Sequence, residues 1–214
     1  SALMHRIFEQ GRRVFISHPI NHFPLAADAS FTYLMGGGIG VTPMIAMAHE
    51  LHAKGADFAL HYSSPTGNAA VFQNELAAAP WANKIHLHIS NEGTRIDAHK
   101  TLEYNDNTHI YSCGPDAYMS AIMDAATQAG FPENARHLEY FSVPEQPDYE
   151  NHAFSLKLAR SGRLVSVGRD QPATDALLAA GVRVDVKCSD GLCGVCKCRV
   201  ISGQVEHRDF VLSN

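Results

Sequence analysis

The 214 residues carry a net charge of −5, with 45% hydrophobic and 18% charged residues, which is the usage of a globular chain and not of a disordered one. A slight acidic excess without clustered Lys and Arg argues against a nucleic-acid surface, and no run approaches the roughly 20 apolar residues that span a bilayer. The opening SALMHRIFEQGRR lacks the charged-then-apolar order of a signal peptide, so the chain reads as cytoplasmic, with no membrane partner and with reduced thiols in place of disulfides.

Residues 30–35, SFTYLM, read as a buried strand that runs into GGGIGVTP. A helix is expected next, with Thr42 as N-cap, Pro43 at the first helical position and Gly55 at its end. The alternation continues as strand 58–64, helix 68–79, strands 84–90 and 109–115, helix 116–130 and strand 136–141. Strands alternating with helices predict a parallel sheet covered on both faces. SVPEQPDYEN (142–151), with two prolines and no periodicity, reads as a linker. Beyond it, strands 153–159 and 163–168 form a hairpin across Arg160, Ser161 and Gly162, followed by a short helix at 173–181 and a cysteine-rich loop. That change of pattern predicts a second, small α+β domain.

In CSDGLCGVCKC (188–198), Cys188, Cys193 and Cys196 follow the C-x4-C-x2-C run of plant-type 2Fe-2S ligands. Such a cluster needs a backbone that wraps closely enough to aim amides at the sulfurs, and Gly191 and Gly194 allow that approach. Zinc is the competing reading, since Cys193-x2-Cys196 is also a zinc-knuckle spacing and His207 offers a fourth ligand; the four-residue gap and the lack of a second CxxC pair count against it. Cys198 reads as structural.

The GGGIGVTP turn offers backbone amides and a helix N-terminus to an anion such as pyrophosphate, or serves only as a packing turn. No alignment of its glycines gives G-x-G-x-x-G, and strand 58–64 ends in Ser63 and Ser64 instead of an acidic ribose ligand. With no basic residue in YSSPTGN for a 2′-phosphate, NADH is favoured over NADPH. A second signal is Cys113, Gly114 and Pro115 at the end of a later strand, where open α/β sheets bind ligands; a lone buried cysteine is otherwise inert core. HELH (49–52) lacks zincin spacing, HRD (207–209) lacks the rest of a kinase loop, and His86 and His88 read as packing or surface residues.

Taken together, MGGGIGVTPM, YSCGPDAYM, LEYF and CSDGLCGVC followed by HRD resemble the phthalate dioxygenase reductase family, across essentially the whole chain. The resemblance implies a ferredoxin-NADP reductase-type nucleotide domain (29–141) and a β-grasp 2Fe-2S ferredoxin domain (152–214). Residues 1–28 would be the C-terminal remnant of an FMN-binding barrel. It also implies an enzyme passing electrons from NADH through FMN and a 2Fe-2S cluster to a Rieske-type oxygenase. Carried residue by residue, it assigns Gly36, Gly37, Gly38, Thr42 and Pro43 to the pyrophosphate and nicotinamide region. Cys113, Gly114 and Pro115 go to the nicotinamide ring, and Ser63, Ser64 and Phe72 to the adenosine half. Glu139 and Phe141 fall where an aromatic packs on the flavin, with Thr42, Cys113 and Phe141 nearest the chemistry. Ser1 corresponds to the end of a motif contacting the FMN phosphate. The family's preceding half-barrel and fourth cluster cysteine are expected to lie outside this chain. A non-catalytic iron-sulfur carrier or redox sensor, or a zinc-stabilised binding protein, are the alternatives.

Overall fold

The structure, a computed structural model, describes residues 6–16, 18–19, 21–67, 70–142, 149–210 and 212. Ser1 and residues 143–148, most of the expected linker, lie outside them.

Five parallel strands make the larger sheet: β1 (Phe31–Gly37), β2 (Phe58–Ser64), β3 (Ile85–Ile89), β4 (Thr108–Cys113) and β5 (Arg136–Glu139), in the order β3-β2-β1-β4-β5. The central strand reads FTYLMGG because both of its faces are covered. Leu34 packs on one side with Val41, Met44, Leu60 and Tyr62, and Met35 on the other with Ile110, Ile122 and Phe131. Helix α1 (Val41–Ala53) supplies the first of those layers and helix α4 (Asp116–Gln128) the second. Each fully buried Leu, Ile or Met of these layers contributes about 1.5–3 kcal/mol. From β1 the chain builds outward through β2 and β3, then returns to β1's other edge with β4. Strand order therefore reverses between β1 and β4, and this is the place at which such sheets open a crevice beyond their strand ends.

Local structure departs from the sequence reading in four places. β1 continues through Gly36 and Gly37 instead of ending at Met35. The first helix starts at Val41 with Gly40 as its cap, and the Thr42 hydroxyl donates backward to the Ile39 carbonyl at 2.9 Å, so Thr42 does not cap. Of the helix expected at 68–79, residues 68–69 lie outside the described residues and the rest holds only α2 (Gln73–Ala77), because Phe72 sits in the left-handed region at φ 63° immediately before it. A one-turn helix, α3 (Ala98–Thr101), is too short for periodicity to reveal, and buries Ala98 and Leu102.

The second unit holds β6 (Phe154–Lys157) antiparallel to β7 (Leu164–Val167), with helix α5 (Ala173–Ala179) closing a small core of Val165, Val167 and Ala176. The cysteine loop follows without further regular strand among the described residues. Ahead of the large sheet, Phe23 meets the Tyr111 ring edge-on at 5.4 Å. The Ala26 amide donates to the Tyr111 hydroxyl at 2.7 Å, which pins the entering segment to β4. Among the described residues no helix is long and apolar enough to cross a membrane.

Candidate functional site

The turn after β1 and the turn after β4 meet backbone to backbone at the strand-order reversal. A Cβ built on Gly40 would lie 2.7 Å from the Gly114 nitrogen and closer still to the Cys113 carbonyl, so only glycine permits this approach. A Cβ on Gly36 would lie 2.8 Å from Val41 Cα. Gly38, at φ 55°, has nothing within 4 Å of its would-be Cβ and leaves its backbone facing open space. The glycine run thus divides its labour: Gly36 lets the start of α1 close on β1, Gly40 brings the two turns together, and Gly38 leaves open space where a side chain would stand.

Cys113 is paired with Glu139 in the β4–β5 register and is fully buried. Burial, and secondarily the Glu139 carboxylate, push its thiol up to about 12, so it stays protonated and non-nucleophilic. Burial likewise raises the Glu139 carboxyl, opposed by nearby His22. Gly114 is partly buried and exposed Pro115 caps α4, whereas Phe141 stands 53% exposed just past β5. The other expected nucleotide residues stand on α1, at the end of β2 and just ahead of α2. Thr42 and Phe72 line a cavity of about 250 Å³ with Ile45, His49, Leu76 and Trp81. Pro43 lies within the first turn of α1. Ser63 and Ser64 end β2, and the Ser64 hydroxyl donates to the Thr66 carbonyl at 3.0 Å.

Around Cys188 the backbone turns through positive φ at Ser189 (65°), Gly191 (72°) and Gly194 (65°). The Asp190 amide points at the Cys188 sulfur from 3.4 Å. That amide first, then the Cys193 side chain, lower the Cys188 thiol to about 7, with the Leu192 and Cys193 amides adding to the effect. Amides aimed at sulfur stabilise thiolate, which is the donor chemistry an iron-sulfur cluster requires, so the loop fits that group. Cys193 and Cys196 are half-buried beside it, and Cys198 is exposed. Among the described residues no three His, Cys, Asp or Glu side chains converge as a single metal ion requires.

The loop is seated against the large sheet. A cavity of about 470 Å³ is shared by His22, Phe23 and Tyr111 with His137 and Tyr140 of the β5 edge and with Leu192 and Phe210 of the cysteine segment. Tyr140 and Phe210 rings lie 5.3 Å apart, and the Phe210 amide donates to the Gly191 carbonyl at 3.1 Å. The Arg208 guanidinium covers the Tyr149 ring at 4.3 Å and donates to Asn151 Oδ1 at 2.9 Å. Sequence reading missed Gly40, Leu192, Arg208 and Phe210. Only Gly40 carried a local signal, as the fourth glycine of the run.

Four histidines form two matched pairs elsewhere on the sheet. His61 Nδ1 lies 3.1 Å from His88 Nε2, and His109 Nδ1 lies 2.9 Å from His137 Nε2. His86 stacks on His61 at 4.6 Å. Burial is the leading cause holding His61 near 3 and His137 near 4, as expected of neutral packing residues.

Comparison with known proteins bears on both halves of the chain. The family model described as a 2Fe-2S iron-sulfur cluster binding domain matches residues 156–214. The chain is 35% identical over its whole length to a vanillate O-demethylase oxidoreductase of Pseudomonas sp. (strain HR199 / DSM 7063), of which it spans 68%. Among solved structures, 92% of the chain resembles phthalate dioxygenase reductase, described as a modular structure for electron transfer from pyridine nucleotides to [2Fe-2S]. That match has a TM-score of 0.61 and 32% identity, and covers 62% of that protein. An intact type IV self-sufficient cytochrome P450 monooxygenase matches 91% of the chain at TM-score 0.79 and 36% identity, over 26% of its own length.

Proposed function

Because the chain belongs to the phthalate dioxygenase reductase family, we propose that it is the reductase component of an oxygenase system, an oxidoreductase that carries electrons from NADH through FMN and a 2Fe-2S cluster. In this reading residues 29–141 form the NAD-binding domain, 142–151 the linker and 152–214 the ferredoxin-like domain, while 1–28 are the C-terminal remnant of an FMN-binding barrel. The bound groups supply the redox chemistry, FMN accepting electrons as a pair and the cluster passing them one at a time.

The residues of this chain position and insulate those groups. Cys188, Cys193 and Cys196 supply three of the thiolates for the cluster, and the amides of the loop tune them. Gly36, Gly37, Gly38, Thr42 and Pro43 frame the pyrophosphate side of the crevice, with Ser63, Ser64 and Phe72 on its adenosine side. Cys113, Gly114 and Pro115 form the floor under the nicotinamide, where a protonated, buried thiol acts by contact and not by covalent attack. Phe141, exposed just past Glu139, would pack against the flavin. Ser63 and Ser64 at the ribose position favour NADH over NADPH.

One observation carries this reading. The cysteine loop, its amides already turned onto sulfur, packs through Leu192 and Phe210 onto the β5 edge that also holds Glu139 of the nucleotide crevice. Cluster and nucleotide sites are thereby neighbours within one chain. The acceptor proposed is a Rieske-type oxygenase. The likeness to a cytochrome P450 monooxygenase makes a cytochrome P450 the competing acceptor. The compartment proposed is the cytoplasm, where thiols stay reduced and NADH is supplied.

The test is an anaerobic NADH titration of the full-length protein, followed by visible absorption, with iron, sulfide, zinc and flavin contents. Iron, sulfide and FMN together with bleaching by NADH are expected. Stoichiometric zinc in a colourless protein, or a coloured protein that NADH does not bleach, overturns the reading. Mixing the reduced protein with a purified Rieske oxygenase or with a P450, and timing reoxidation in each, decides the acceptor.

A further inference from the structure

Tyr118, in the first turn of α4, lies across the strand ends where the crevice opens. Its ring rests on two backbone segments that lack side chains to obstruct it. A Cβ on Gly37 would lie 2.9 Å from Tyr118 Cδ1, and one on Gly114 3.0 Å from the same atom. From that seat, which belongs to the turns after β1 and β4, the phenol reaches toward Ser63 at the end of β2. Side chains alternate along a strand, and Ser63 shares the α4-side face of β2 with His61. The phenol and the Ser63 hydroxyl are both sealed from solvent and lie within reach of each other, and among the described residues neither forms a well-made hydrogen bond with any other group. Burial pushes the phenol up to about 12, so it remains a donor.

Two buried hydroxyls that meet only each other, short of good geometry, are under-satisfied at a cost on the order of 1–3 kcal/mol each, and a native fold retains such groups where a ligand completes them. They sit at the C-terminal edge of a parallel sheet beside its strand-order reversal, the position at which dinucleotides bind. Resting on the nucleotide reading above, we infer that Tyr118 and Ser63 are a paired hydroxyl clamp for the adenosine-side ribose or phosphate oxygens of the pyridine dinucleotide. The Tyr118 ring is the lever that spans the crevice, and Gly37 and Gly114 are glycines because they seat that ring. This assigns those two glycines a role distinct from anion contact and names a binding residue outside the glycine run and the cysteine-glycine-proline turn.

Tyr118→Phe removes the oxygen and keeps the ring on its two glycines, so the fold has no reason to fail. In the full-length protein it should weaken NADH binding and ADP-ribose binding about five- to tenfold, the loss of one hydrogen-bonding partner. Binding of reduced nicotinamide mononucleotide, which lacks the adenosine half, should stay within twofold of the parent. Ser63→Ala should give a similar loss, and the double variant less than the product of the two, since the hydroxyls act on one group. A Tyr118→Phe protein that binds NADH and ADP-ribose as tightly as the parent overturns the clamp while leaving the nucleotide reading intact. Equal weakening of reduced nicotinamide mononucleotide also overturns it, by showing a general structural effect. A parent protein that binds no NADH overturns the nucleotide reading and the clamp with it.

Discussion

Gly40→Ala separates packing from backbone freedom at the centre of this fold. Gly40 has an ordinary helical φ of −63°, so alanine meets no conformational penalty there. The cost is purely one of space: the new methyl carbon would lie 2.7 Å from the Gly114 nitrogen and closer still to the Cys113 carbonyl. Overpacking costs about 1–3 kcal/mol when side chains can yield. Here the obstacle is the backbone of the neighbouring turn, which is held by the β4 ladder, so about 3 kcal/mol is expected. For a domain of this size that lowers the melting midpoint by roughly 12–24 °C. Gly38→Ala is the contrast, with open space around its would-be Cβ but φ 55°. It should cost about 1 kcal/mol, the price of a left-handed alanine, and roughly 4–8 °C. Differential scanning calorimetry of the two variants beside the parent measures both. If Gly40→Ala melts within a few degrees of the parent, or no lower than Gly38→Ala, the two turns are not in the contact described, and the crevice geometry built on that contact fails.

Two further outcomes follow from the titratable groups. His61 near 3 and His137 near 4 lie below the ordinary 6.5 because burial disfavours their charged forms. Between about pH 6.5 and 4 the unfolded chain therefore binds protons that the folded one refuses, and stability must fall as pH falls through that window. Urea midpoints measured from pH 7 to 4.5 should decline steadily, and His137→Gln should flatten part of the slope; a pH-independent midpoint refutes the buried neutral pairs. At the cysteine loop, Cys188→Ser, Cys193→Ser and Cys196→Ser should each remove iron and sulfide from the purified protein, whereas Cys198→Ser, at an exposed position, should retain both. Iron loss on changing Cys198 alone would reassign the ligands.

Much of this architecture was legible before any coordinates. The β-α alternation predicts the parallel sheet, because strands buried on both faces must be apolar throughout, as FTYLM and HIYSC are. The C-x4-C-x2-C run identifies the cluster loop, because ligand spacing is a local property of the chain. Failures occurred where the deciding contact was distant or the local signal ambiguous. Alanine-rich 68–79 looks helical, yet the left-handed Phe72 confines α2 to five residues. Thr42 has the chemistry of an N-cap, but the 3-10 turn at Gly38–Gly40 moves the helix start and turns its hydroxyl back to Ile39.

By itself the sequence determined which elements form, the thiols available for a cluster and the glycines at a binding turn, since each depends on neighbours along the chain. Only the tertiary structure decided that Gly40 closes on Cys113, that Tyr118 spans from Gly37 to Ser63, and that Leu192 and Phe210 seat the cysteine loop beside Glu139. Those pairings join residues tens of positions apart, and they exist because parallel strands bring their C-terminal ends to one edge of the sheet.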